Sequence, residues 1–191
     1  TQNYYNNNPQ KFIDRLYTFG LGEKSKIDLH GIPIPYIPSP KEDNWSLISL
    51  PWMSYGYGLE LTPLDLLTFY NAVANNGVFV EPYLGEYLLN GSNKEKIVNN
   101  HIAYSICSDN TIKKLQILLQ EVVDNGTAKS MSSLPFYVSG KTGTAVTNPS
   151  DSLKKYHASF IGFFPSEKPL YSCVVLIDNP NVNIGYYGSK V

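Results

Sequence analysis

The spacing of apolar residues changes once along this chain, and that change limits the fold more than any other feature. Before residue 124 they recur at the intervals of helices buried along one face; after residue 135 they gather in short β-rich runs. Asn8 and Pro9 offer a cap and a first-turn proline, Phe12, Ile13, Leu16 and Phe19 follow, and Gly20 stops the pattern. Thr62-Pro63-Leu64-Asp65 supplies a cap, a first-turn proline and an acid near the helix dipole. Leu66, Leu67, Tyr70, Val73 and Ala74 then carry that helix to Asn75-Asn76-Gly77. A third helix runs from about Thr111 through Ile112, Leu115, Leu118, Leu119, Val122 and Val123, and ends at Asp124-Asn125-Gly126. Strands are expected over Phe136 to Thr144, Ala158 to Phe164 and Leu170 to Ile177. Glu167-Lys168-Pro169 is a short turn that makes the last two antiparallel neighbours, while a longer loop, Ala145 to Tyr156, joins the first pair. Helices first and a sheet later predict an α+β domain, with an antiparallel sheet of at least three strands flanked by helices.

Composition removes several function classes. With 191 residues, 42% of them hydrophobic, the chain suits one globular domain with a core. The net charge is −1, and Lys24, Lys26, Lys41, Lys113 and Lys114 are scattered among acids, so no basic stripe points to nucleic acid. The longest apolar run, Tyr171 to Ile177, is interrupted by Ser172 and falls far short of the roughly 20 residues of a spanning helix. Cys107 and Cys173 lack Cys-x-x-Cys spacing and read as buried small hydrophobes; whether they pair stays open. Prolines 33, 35, 38 and 40 force a surface connection, and Asn3 to Asn8 reads as a polar loop. The opening at Thr1 without Met and the stop at Ser189-Lys190-Val191 lead us to expect a chain cut at both ends.

The chemistry concentrates in Val138-Ser139-Gly140-Lys141-Thr142-Gly143-Thr144, which sets a cation, hydroxyls and two glycines on one expected strand. Gly140 and Gly143 carry no side chain to obstruct a ligand lying along the backbone. Thr142 and Thr144 share a face, and their hydroxyls with a nearby ammonium suit a carboxylate. A phosphate loop would need a glycine at Pro135 and a capped helix after Thr142, and neither is present. His30, His101 and His157 have no second ligand at metal spacing, so no metal site is expected, and no cofactor.

Lys141-Thr142-Gly143 resembles the Lys-Thr-Gly box of penicillin-binding proteins and serine β-lactamases. The similarity extends through Tyr55-Gly56-Tyr57-Gly58, Leu61 to Asp65, Ala72 to Gly77, Val122 to Ala128 with its Asp-Asn-Gly-Thr-Ala, and His157 to Phe163. In that order the segments are similar to the second half of a class B penicillin-binding protein transpeptidase domain, over nearly the whole chain. Residues 1–191 would then be the C-terminal part of a single transpeptidase domain. Leu50 to Ser54 and Tyr57 to Glu60 look closer to division-type members. The resemblance implies a peptidoglycan D,D-transpeptidase that acylates a serine with a stem peptide, passes the acyl group to a neighbouring stem, and is trapped by β-lactams. It implies that Lys141 joins the proton-transfer network, that Thr142, Gly143 and Thr144 bind substrate, and that the Thr144 N–H serves the oxyanion hole. It also implies a periplasmic domain anchored in the bacterial inner membrane by a segment outside this chain, working with other cell-wall synthesis or division proteins.

The family's Ser-x-x-Lys nucleophile and Ser-x-Asn box belong upstream of the Tyr-Gly segment, and neither stands there. Ser152-Leu153-Lys154-Lys155 follows the Lys-Thr-Gly strand in a polar loop, and a nucleophile needs a rigid helix start beside its base. Ser108-Asp109-Asn110 spells the second box but directly precedes the third helix, where such residues cap free N–H groups. The nucleophile is therefore expected outside this chain, which alone would be inactive. Two alternatives stand beside this reading. A β-lactamase-like hydrolase would have to use those same serines. A noncatalytic glycan-binding module could use Tyr55, Tyr57, Tyr83, Tyr87, Tyr186 and Tyr187, read as loop residues.

Overall fold

A computed structural model describes residues 2–5, 7–27, 29–97, 103–147, 154–183, 185, 187 and 188. The helices are α1 (Gln2–Tyr5), α2 (Gln10–Thr18), α3 (Ser49–Met53), α4 (Pro63–Ala74) and α5 (Asp109–Asp124). The strands are β1 (Val78–Val80), β2 (Tyr87–Asn90), β3 (Asn93–Lys96), β4 (Ala103–Ser105), β5 (Ser139–Val146), β6 (Tyr156–Phe164) and β7 (Tyr171–Asp178). The fold is α+β, and its main sheet is antiparallel with order β5-β6-β7.

Local chemistry sets the helix ends. At α4 the Thr62 side chain accepts from the Asp65 N–H, and Asp65 in return accepts from the Thr62 N–H, a reciprocal capping box with proline in the first turn. At α5 the Ser108 side chain accepts from the Thr111 N–H, so Ser108-Asp109-Asn110 is a helix start, as its position implied. α2 departs from expectation by one residue: Pro9, already helical, takes the cap position and Asn8 makes no side-chain cap. Gly20 ends that helix at φ +81°, and a Cβ there would run into the Phe79 ring, so both backbone and packing require glycine.

Three apolar clusters join the layers. Ala72, Val73 and Ala74 of α4 meet Ile112 and Leu119 of α5, with Phe79, Ile106 and Phe163. Ile13, Leu21, Ile37 and Met53 form a second cluster, which recruits α3 and the proline-rich connection. Val123 and Ala128 pack on Val138 and Phe160, tying the end of α5 to β5 and β6.

Several expectations need correction. Residues 2–5 form a helical turn rather than a loop, with Tyr5 edge-on to Phe12. β5 begins at Ser139 rather than Phe136, because the Phe136 ring leaves the strand path to stack on Phe164. β1 pairs with β4, and β2 with β3, as two small ladders the spacing did not disclose. Tyr87 consequently lies in a strand, not a loop. Cys107 and Cys173 are free thiols, partly exposed rather than buried.

Candidate active-site strand

β5 is an edge strand, with β6 as its single neighbour among the described residues. Thr147 N–H donates to Lys155 O at 3.0 Å directly beyond the end of the ladder. Antiparallel pairs alternate, so Lys141, Gly143 and Ala145 exchange their bonds with Ile161, Ser159 and His157. The N–H and C=O groups of Thr142 and Thr144 therefore face the open edge.

The side chains on that edge form a connected polar group. Lys141 Nζ curls back along its own strand and donates to Thr142 O at 2.8 Å and Thr142 Oγ1 at 3.2 Å. Thr127 Oγ1, from the loop after α5, lies 2.8 Å from Thr142 Oγ1. Gly188 N–H donates to Thr144 Oγ1 at 3.1 Å. Lys141 and Thr144 are exposed and Thr142 is half-buried, so the group is open to a ligand. A cation, two hydroxyls and outward N–H groups on one rigid strand can hold a carboxylate and stabilise charge developing on a carbonyl oxygen.

The glycines do something other than clear a path. A Cβ at Gly140 would strike Phe160 and the Gly162 backbone, so Gly140 makes room for a buried ring. A Cβ at Gly143 would strike Ser159 Oγ. Glycine here lets β5 and β6 pack closely beneath the site.

Beyond Thr144 the strand borders a groove of about 820 Å³, walled by Ala145, Val146, Thr147 and His157 on one side and Tyr36, Trp52, Met53 and Tyr57 on the other. None of Lys141 to Thr144 lines this groove, which begins at Ala145. Trp52 and Tyr57 meet edge to face at 6.0 Å and leave apolar ring surface exposed. His157 Nε2 lies 2.9 Å from Asp178 Oδ1, a cross-strand partner that sequence spacing did not reveal. Both groups are largely exposed, so the pair adds little stability.

The remaining candidates stand elsewhere. Ser108 lines a separate cavity of about 520 Å³ with Tyr5, Arg15 and Phe19, where burial pushes the Cys107 thiol up against the opposing effect of Arg15. Ser152, His101 and Tyr186 lie outside the described residues. Among the described residues no group of three His, Cys, Asp or Glu could hold a metal, and no helix is long and apolar enough to cross a membrane. Sequence reasoning gave no role to Thr127 or Gly188, whose contacts with Thr142 and Thr144 bridge residues far apart in the chain.

The chain is similar to known proteins along most of its length. The chain is 27% identical over 190 residues to stage V sporulation protein D of Bacillus subtilis, covering 94% of this chain and 28% of that protein. It is 28% identical over 184 residues to the peptidoglycan D,D-transpeptidase FtsI of Buchnera aphidicola, covering 95% of this chain and 31% of that one. Penicillin-binding protein 3 of Mycobacterium tuberculosis, solved with ampicillin, superposes with a TM-score of 0.79 at 27% identity, over 90% of this chain and 40% of that structure. The chain thus spans less than a third of the length of these curated relatives. Residues 2–191 match the family described as the penicillin-binding protein transpeptidase domain, and the chain belongs to that family.

Proposed function

We propose that this chain is the C-terminal part of the transpeptidase domain of a longer peptidoglycan D,D-transpeptidase, with its nucleophilic serine in the part that precedes Thr1. The observation that carries the reading is the Lys141–Thr142–Thr127 group on an edge strand whose Thr142 and Thr144 amides face outward. Substrate is the D-Ala-D-Ala end of a stem peptide, and β-lactams occupy the same place. Thr142 and Thr144 hold the terminal carboxylate, and the adjacent Gly143 keeps the strand close enough to β6 to fix both. Lys141 lends positive charge and a proton path, and the outward Thr144 N–H stabilises the tetrahedral oxyanion. No cofactor enters these steps. Stem peptides are the macromolecular partner, with cell-wall synthesis or division proteins beside them. The domain works on the periplasmic face of the inner membrane, held there by an anchor outside this chain.

The test is acylation of the full-length protein by labelled penicillin, with the adduct located by peptide mass spectrometry. The adduct should fall on a serine N-terminal to Thr1, and Lys141→Ala should slow its formation severely, since groups acting as one unit lose most of their effect together. Unchanged acylation of Lys141→Ala would overturn the role of this strand.

A further inference from the structure

The geometry points to Thr127 as a positioning residue that sets which way the Thr142 hydroxyl donates. The inference rests on Thr142 as a carboxylate-binding group and deepens that reading.

The argument is a count of donors and acceptors. A threonine hydroxyl has one proton to give and two lone pairs to receive. Lys141 Nζ, 3.2 Å from Thr142 Oγ1, can only donate, so it fills one lone pair. Thr127 Oγ1, at 2.8 Å, can stand on either side of its bond with Thr142. If Thr142 donates to Thr127, its single proton is spent and an arriving anion meets only oxygen. If Thr127 donates, both Thr142 lone pairs are filled and the Thr142 proton is left for the ligand. An anion at the open edge selects the second state. Thr127 and Lys141 together then turn Thr142 into a dedicated, polarised donor.

The loop is built to hold Thr127 there. Ala128, fully buried, anchors the position after it, and its N–H donates to Val122 O at 3.0 Å. Gly126 lies so close to the Val122 backbone that a Cβ would collide with it. Thr127 is therefore gripped on both sides while its own side chain is exposed. Thr127 is exposed and Thr142 only half-buried, so the hydrogen bond between them adds little to stability.

Acylation of the full-length protein by benzylpenicillin, which carries the carboxylate, and by its methyl ester, which masks it, tests the proposal. Thr127→Val should slow benzylpenicillin roughly three- to tenfold, the value of one hydrogen bond, and leave the ester's rate unchanged. Thr127→Ser should restore the rate. In a Thr142→Val background, Thr127→Val should have no further effect. Thr127→Ala, which fits any space valine does not, and the melting temperatures of all variants separate these effects from misfolding. Wild-type rates in Thr127→Val and Thr127→Ala while Thr142→Val is impaired would overturn the inference alone. An equal loss on both ligands would make Thr127 structural and overturn it as well. Wild-type acylation by Thr142→Val would sink the carboxylate reading beneath it.

Discussion

Tyr70 shows how one side chain couples burial to pH. Its ring packs against Phe69 and the α4–α5 cluster, and burial pushes the phenol up to about 12 from the ordinary value near 10. The folded state thus favours the protonated phenol more than the unfolded chain does. Stability from this group is complete below pH about 10 and is lost as pH rises through about 12. Denaturant titrations at pH 9 and pH 11.5 should show Tyr70→Phe losing less stability across that interval than the wild type. Equal losses would mean the phenol ionises freely in the fold. At the same scale, Lys141 and Thr142 were legible as candidates for the site because Lys-Thr-Gly is a local pattern. Thr127 was not, because its significance depends on a contact with a residue fifteen positions away.

At the scale of elements, the two capped helices separate what sequence can and cannot weigh. Thr62 and Ser108 both read as caps, and both are caps. Their environments differ. Asp65 is 6% exposed, and its carboxylate receives the Thr62 N–H and Oγ1, each at 2.7 Å. Ser108 is exposed, and its bond to the Thr111 N–H is long, at 3.4 Å. Thr62→Ala should cost about 2 kcal/mol, because it also removes a donor from a buried carboxylate, and Ser108→Ala at most about 1 kcal/mol. Equilibrium unfolding of the two variants would expose a mistake if Ser108→Ala proved the costlier. The long helices were legible because each buries one face over many residues, and the three main strands because they are short β-rich runs bounded by turn residues. The β2–β3 ladder was not, since all its residues are exposed and carry no period; its one local sign was Asn90-Gly91, with Gly91 at φ +60°.

For the whole molecule, the open surfaces and the missing chemistry point the same way. β7 exposes Val175, Leu176 and Ile177 in succession, so apolar side chains show on both faces of an outer strand. The aromatic wall of Trp52 and Tyr57 also stands half-exposed beside β5. Surfaces of this kind are costly in water and suit contact with further protein. Two described serines are already committed to other bonds: Ser139, on β5, is buried and donates to Ser166, and Ser108, in its separate cavity, caps α5. Lys141, Thr142 and Thr144 can bind a carboxylate and stabilise charge, but acyl transfer also needs an attacking oxygen with a base beside it. The 191-residue chain alone should therefore show no mass increase after incubation with labelled penicillin, whereas the full-length protein should gain one acyl group. An adduct on the isolated chain, mapped to Ser108, Ser152 or Ser159, would show that the nucleophile lies within these residues and that the division of labour proposed for the longer protein is wrong.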